Sequence, residues 1–230
     1  MGNVIDLVVK AANTFYETMS NDENGRFHSW EHCYKCFHDA RTGSFHDDDY
    51  LSLQLAFYLA SWGMYRGSSF LLQKDYKVHI PVVKELLKSD YDCLSGIDCE
   101  EFKRNKDAQN ALNELNKFLN KHYESVRNTV KGTAVSNKVS DTLITKVLMG
   151  TLGCVPAYDR YFIEGIQIMK VSTRNYNLAS LIKLVEFYEE NHVRLEEIRK
   201  NFKVYGLPYP QMKLLDMAFW QIGLECGEKS

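Results

Sequence analysis

The 230-residue sequence predicts an all-α protein, a globular helical domain made of two helical lobes that share a cleft. Three observations carry that expectation. Apolar residues recur with the 3.6-residue period of a helix through most of the chain. No alternation of apolar and polar residues persists long enough to mark a strand. Only four prolines interrupt the chain, and a 45% hydrophobic, 25% charged composition is that of a folded domain with a core.

Taken in order, Val4, Leu7, Val8, Ala11, Ala12, Phe15 and Met19 form the first helical stripe, which the polar run 20–25 ends. A second helix is expected over 29–40, with Thr42-Gly43-Ser44 as its stop. Asp47, Asp48 and Asp49 place negative charge at the start of the next helix, where it complements the helix dipole. The segment 51–60 is apolar nearly all round, which predicts a place at the centre of the core. Gly63 and Gly67 predict a break before a short helix over 68–73. Another short helix is expected over 80–88, with Pro81 in its first turn, followed by a loop over 90–99 around Gly96.

Residues 100–131 carry a narrower stripe of Leu112, Leu115, Phe118, Leu119, Tyr123 and Val126, the pattern of a surface helix. The stretch Gly132–Lys138 is the expected internal boundary. It divides an N-terminal lobe, 1–132, with its buried helix at 50–64, from a C-terminal lobe, 133–230, containing a hairpin-like segment at 137–163. Helices are expected near 139–150, 158–170, 177–200 and 210–225. The loop Gly206-Leu-Pro-Tyr-Pro210 feeds the last of them, which is expected to close the core. An exposed aromatic end at Phe219 and Trp220 would instead make a partner surface.

A formal net charge of -2 provides no global field for nucleic acid, so any DNA contact must come from a local basic patch. The apolar stretch 50–64 is too short to cross a bilayer, and no membrane association is expected. Met1–Lys10 lacks the basic and apolar regions of a secretion signal. The six cysteines are therefore expected to be reduced thiols in the cytoplasm. No cofactor is expected, and the sequence carries no signal for an oligomeric state.

The segment with a candidate chemistry is 137–163. Ser140 is placed to cap a helix over 141–149, a glycine-containing turn follows, and Val155-Pro156-Ala157-Tyr158-Asp159 steps into the next helix. Asp159 is then an N-terminal cap, or a carboxylate held at a cleft to stabilise positive charge and orient water. This helix, turn and apolar-Pro-x-x-Asp step resembles the helix-hairpin-helix DNA glycosylases. That superfamily is all-α in two lobes and cuts the bond between a damaged base and its sugar.

The resemblance implies a base-excision N-glycosylase in which Asp159 is the essential acid and Lys146 the nearest match to the lysine that attacks the sugar in some members. It also implies phosphate contacts from Lys138, Arg66 and Arg160, and a pocket for a flipped base lined by Trp62, Tyr65, Tyr158 and Tyr161. The ordinary roles of these groups are surface charge for the cations and core packing for the rings. Where the family hairpin carries Gly-x-Gly, this chain has Lys138-Val139-Ser140-Asp141, without glycine and with an added acid. A catalytically inactive relative is thus also consistent with the resemblance.

Two other function classes stay open. If the second helix starts one residue early, His28, His32 and Cys36 fall at i, i+4 and i+8 along one face, a spacing that lets adjacent members grip a metal. The dipeptides His38-Asp39 and His46-Asp47 resemble those of all-α HD-type metal phosphohydrolases, although both lie in polar surroundings. A non-catalytic interaction or regulatory protein is the remaining class.

Overall fold

The computed structural model describes residues 4–44, 46–130 and 139–227. The chain begins with α1 (Val4–Ser20), whose buried stripe is Ile5, Val8, Ala11, Ala12, Phe15 and Met19. Leu7 belongs to the exposed side instead. There follow α2 (His28–Arg41), α3 (Asp48–Ser61) and α4 (Ile80–Leu86), joined by single 3-10 turns at Phe70–Gln73 and Tyr76–His79. A further 3-10 turn, Ser89–Leu94, leads to α5 (Cys99–Arg104) and α6 (Lys106–Asn128). The second half contains α7 (Asp141–Thr151), α8 (Arg160–Ile168), α9 (Leu178–Glu190), α10 (His192–Arg199) and α11 (Gln211–Gly227). Strand among the described residues is confined to a small antiparallel hairpin, β1 (Lys203–Val204) with β2 (Leu207–Pro208). The fold is all-α.

Local chemistry sets most of the boundaries. Asp47 caps α3, its side chain accepting from the backbone N–H groups of Asp49 and Tyr50. Ser140 caps α7 through the Leu143 N–H, and Asn177 caps α9 through that of Ser180. The single helix expected over 100–131 is two, because Asn105 leaves the helical conformation and caps α6 through the Ala108 N–H at 3.0 Å. The helix expected over 177–200 is likewise broken, at Asn191. α3 is not central on every side: Tyr50, Leu53 and Phe57 are exposed. The proposed boundary 132–138 lies outside the described residues.

α11 is the core helix, packing most extensively on α8 and α1. Phe219 and Trp220 are buried there, so they close the core and form no partner surface. Because α1 also lies against α10, the packing joins the beginning of the described chain to its end, across the sequence division at 133. The α8–α11 crossing depends on two glycines. A Cβ on Gly165 would stand 2.0 Å from the Phe219 carbonyl oxygen, and one on Gly223 would stand 2.0 Å from that of Tyr161. Around this layer, α2, α3 and α7 pack together, and α6 covers α4, α5 and α7. No helix among the described residues is long and apolar enough to cross a membrane, and all six cysteines are free thiols.

One buried polar knot fixes the chain after α3. The ring of His79 is fully buried, with Nε2 2.7 Å from the Tyr65 hydroxyl and Nδ1 2.8 Å from that of Tyr123. Burial pushes His79 down from 6.5 to about 3, so the folded protein holds it neutral.

Two predictions follow from this packing. Gly165→Ala or Gly223→Ala forces backbones apart and should cost about 3 kcal/mol or more in urea unfolding. Gly227→Ala, whose added carbon meets only side-chain atoms 3.7 Å away or farther, should change little. In the unfolded chain His79 takes up a proton near pH 6.5, whereas in the fold it does so only near 3. The unfolded state therefore binds more protons in that window, and stability should fall as pH drops through it. Replacing the group with His79→Gln should flatten the pH dependence of stability by up to ~1.4 kcal/mol per pH unit. An unchanged slope would contradict the assignment.

Candidate functional site

The site lies where the turn after α3 meets α7, the start of α8 and α11. Lys146 projects from the middle of α7 and is 3% exposed, so the surface role open to it in the sequence is not the one it takes. Its ammonium donates to the Trp62 carbonyl at 2.9 Å and stands 3.2 Å from Asp159 Oδ2. The other carboxylate oxygen, Oδ1, accepts from the Phe162 N–H at 3.1 Å and so caps α8. Asp159 is thus both a helix cap and half of a largely buried ion pair.

The segment that presents Asp159 is held from two sides. Toward α7, the Tyr158 N–H donates to Thr145 Oγ1 at 2.8 Å, and Thr142 Oγ1 donates to the Tyr158 carbonyl at 2.9 Å. Toward α11, the Ala157 N–H donates to Asp216 Oδ1 at 2.9 Å. Asp216 Oδ2 pairs with Lys213 at 3.0 Å. Burial pushes the Asp216 carboxyl up, and the Lys213 ammonium opposes that shift. The Lys213 ammonium also sits over the rings of Trp30, Phe15 and Trp62, at 4.8, 5.3 and 5.6 Å. Two lysine–aspartate pairs therefore flank Trp62, since the Lys146 ammonium is likewise 5.6 Å from its ring.

A cavity of about 420 Å³ opens on the Lys146–Asp159 pair. Trp62, Tyr161 and Trp220 supply aromatic wall, with Trp220 edge-on to both of the others at 5.8 and 5.4 Å. The buried Trp62 indole N–H has no acceptor among the described residues. Arg26, Arg66 and Arg160 are exposed at the rim. With Lys146 they make four cations against the single carboxylate Asp159 in the lining, in a chain whose formal net charge is -2. Glu164, outside the lining, offsets part of this by pairing with Arg160 at 2.9 Å.

Of the residues singled out in the sequence, Trp62, Arg66, Lys146, Asp159, Arg160 and Tyr161 come together in this cavity. Tyr65 and Tyr158 do not line it. Tyr65 faces His79, and Tyr158 is buried in the core with its hydroxyl 2.7 Å from Ser180 Oγ. Lys138 lies outside the described residues. Sequence reasoning missed Arg26, Lys213, Asp216 and the pocket role of Trp220. Lys213 and Asp216 did carry a signal, as opposite charges three residues apart in an otherwise apolar helix.

The residues of the metal alternative do not come together as a site among the described residues. His28 Nδ1 is 2.7 Å from Glu31, and its Nε2 is 3.0 Å from the Met19 carbonyl oxygen. His32 instead meets the Tyr205 hydroxyl, and Cys36 Sγ lies 3.8 Å from that of Tyr50. Among the described residues no group of three or more His, Cys, Asp or Glu side chains is placed to hold a metal ion. His46 bonds Asp48 in the first turn of α3, at 2.8 Å, and His38 stands 3.7 Å from Asp39.

No family model, curated protein or solved structure matches the chain.

The double role of Asp159 makes a stability prediction. Asp159→Asn keeps an oxygen for the Phe162 N–H, whereas Asp159→Ala loses the cap as well as the ion pair. The alanine variant should be less stable than the asparagine variant by ~1 kcal/mol in chemical unfolding. Equal losses would show that the cap contributes nothing.

Proposed function

We propose that this protein is a DNA glycosylase-like base-excision enzyme with Lys146 as nucleophile and Asp159 as its acidic partner. The observation that carries the reading is the largely buried Lys146–Asp159 pair in the lining of a cavity with aromatic walls and a cationic rim. A planar base fits between rings, and the arginines suit the flanking phosphates.

In this reading a damaged nucleotide is flipped from the duplex so that its base enters beside Trp62, Trp220 and Tyr161. The Lys146 ammonium passes a proton through Asp159 to the leaving base. The neutral amine then forms a bond to C1′ of the sugar while the C1′–N glycosidic bond breaks, its electron pair leaving with the protonated base. Asp159, again a carboxylate, stabilises the positive charge that develops on the sugar. The new secondary ammonium loses a proton to water. The ring then opens as the C1′–O4′ bond breaks, its electron pair staying on O4′, which takes up a proton, to leave a protonated imine between Lys146 and C1′.

A second reading has one specific observation in its favour. The Lys146 ammonium is already engaged by both the Trp62 carbonyl and Asp159. An inactive relative would keep that pair as a structural tie and bind DNA without cutting it.

Borohydride trapping on duplexes carrying an abasic site or an oxidised base separates these readings. The wild-type protein should give a covalent adduct, and Lys146→Gln should give none. Asp159→Asn should excise at least ~100-fold more slowly while its circular dichroism stays native. Binding should weaken steeply with salt and on Arg160→Ala. Salt-dependent binding without an adduct supports the inactive relative. No binding at low salt contradicts both.

A further inference from the structure

A second cavity system lies along α6, apart from the Lys146–Asp159 pocket. Asn110, Asn113, Asn116 and Asn120 recur at spacings of three and four residues, which places their carboxamides along one face over about 15 Å of helix. That face borders two adjoining cavities of about 580 and 680 Å³, which share Asn113, Asn116, Asn120 and Asp141. Leu112, Leu178, Leu181 and Tyr176 give the first of them an apolar floor. The Tyr176 ring is fixed, because its hydroxyl exchanges hydrogen bonds with the Asn116 carboxamide at 2.9 and 3.2 Å.

Some of these amides are occupied by the fold. Asn116 is held by Tyr176, Asn177 caps α9, and Gln109 donates to the Phe102 and Lys103 carbonyls. Asn110 and Asn113 are exposed and make no side-chain hydrogen bond among the described residues. Asn120 spends its N–H on the Asn116 carbonyl, with no donor to its own side-chain oxygen among the described residues. The groove therefore presents unspent carboxamide donors and acceptors above an apolar floor.

The charges select the ligand further. The first cavity has one cation, Lys106, against one acid, Asp141, in its lining, while Lys117 beside the second is paired with Glu114 at 2.7 Å. Among the described residues of the first cavity, a polyanion finds no excess positive charge and a cation no excess negative charge. What fits is a neutral, flat group with an apolar face and an edge that carries a donor beside an acceptor. A carboxamide meets such an edge with two parallel hydrogen bonds, as asparagine does with adenine.

We propose that the α6 groove is a binding site for a neutral nucleobase or nucleoside, read by Asn110 and Asn113 over the Leu112–Tyr176–Leu181 floor. The site is separate from the excision pocket. Asp141 borders the α6 groove, whereas Thr142 and Lys146 of the same helix line the other cavity. The proposal stands whether or not the protein excises bases.

The test is calorimetric titration of the intact protein with adenosine, guanosine, cytidine and uridine, and with chitotriose as a polar non-nucleoside. At least one nucleoside should bind saturably at millimolar concentration or below. Asn113→Ala and Asn110→Ala, both at exposed positions, should weaken that binding by about tenfold or more. Absence of saturable nucleoside binding overturns the proposal. So does binding that both asparagine variants keep in full, which would put the ligand outside the α6 groove. Asn113-dependent binding of chitotriose without any nucleoside binding would overturn it in favour of a saccharide.

Discussion

The Asp159 carboxylate is the constraint on which the site depends. One oxygen ends the backbone of α8 and the other holds the Lys146 ammonium of α7, so the two helices meet through a single side chain. The same ammonium reaches the Trp62 carbonyl and ties in the turn after α3. The turn at Trp62, 84 residues before Lys146, thus joins α7 and α8 at one buried pair. Gly165 and Gly223 then let α11 approach α8 closely enough for Asp216 to take the Ala157 N–H.

Burying two lysine–aspartate pairs beside an indole is a costly way to join helices. Desolvation of each ion offsets much of the attraction it gains, and apolar side chains of similar size would pack with less penalty. A capping requirement at α8 would be met by Asp159 alone. The extra cost points to a role for the Lys146 ammonium where it meets the cavity, which is why the excision reading rests on that pair and not on the cap. The aromatic cluster serves both needs, because Trp220 packs edge-on to Trp62, Tyr161, Phe15 and Phe27 in the core while lining the pocket wall.

Much of the fold was legible in the sequence, for identifiable reasons. A period-3.6 stripe located α1, the Thr42-Gly43-Ser44 stop bounded α2, Ser140 marked the start of α7, and the aspartates before Tyr50 marked that of α3. The breaks at Asn105 and Asn191 were less visible, because each interrupts a helix through a single asparagine without proline or glycine. Exposure of Leu7, Leu53 and Phe57 was not legible either, since an apolar residue announces burial only when a neighbour exists to cover it. For the site, the step into Asp159 gave its position. The burial of Lys146 could not be read, because a lysine among core residues of a helix looks the same whether its amine snorkels to water or turns inward. Tyr65 and Tyr158 failed as pocket residues because hydrogen-bond partners in the core, His79 and Ser180, claim their hydroxyls.

Peptide mapping by mass spectrometry tests the proposed role of the Lys146 amine most directly. Protein reduced with borohydride in the presence of abasic duplex would be digested, and the modified residue located. A sugar adduct on Lys146 alone is expected. An adduct on Lys213 or another lysine, with Lys146 unmodified, would contradict it.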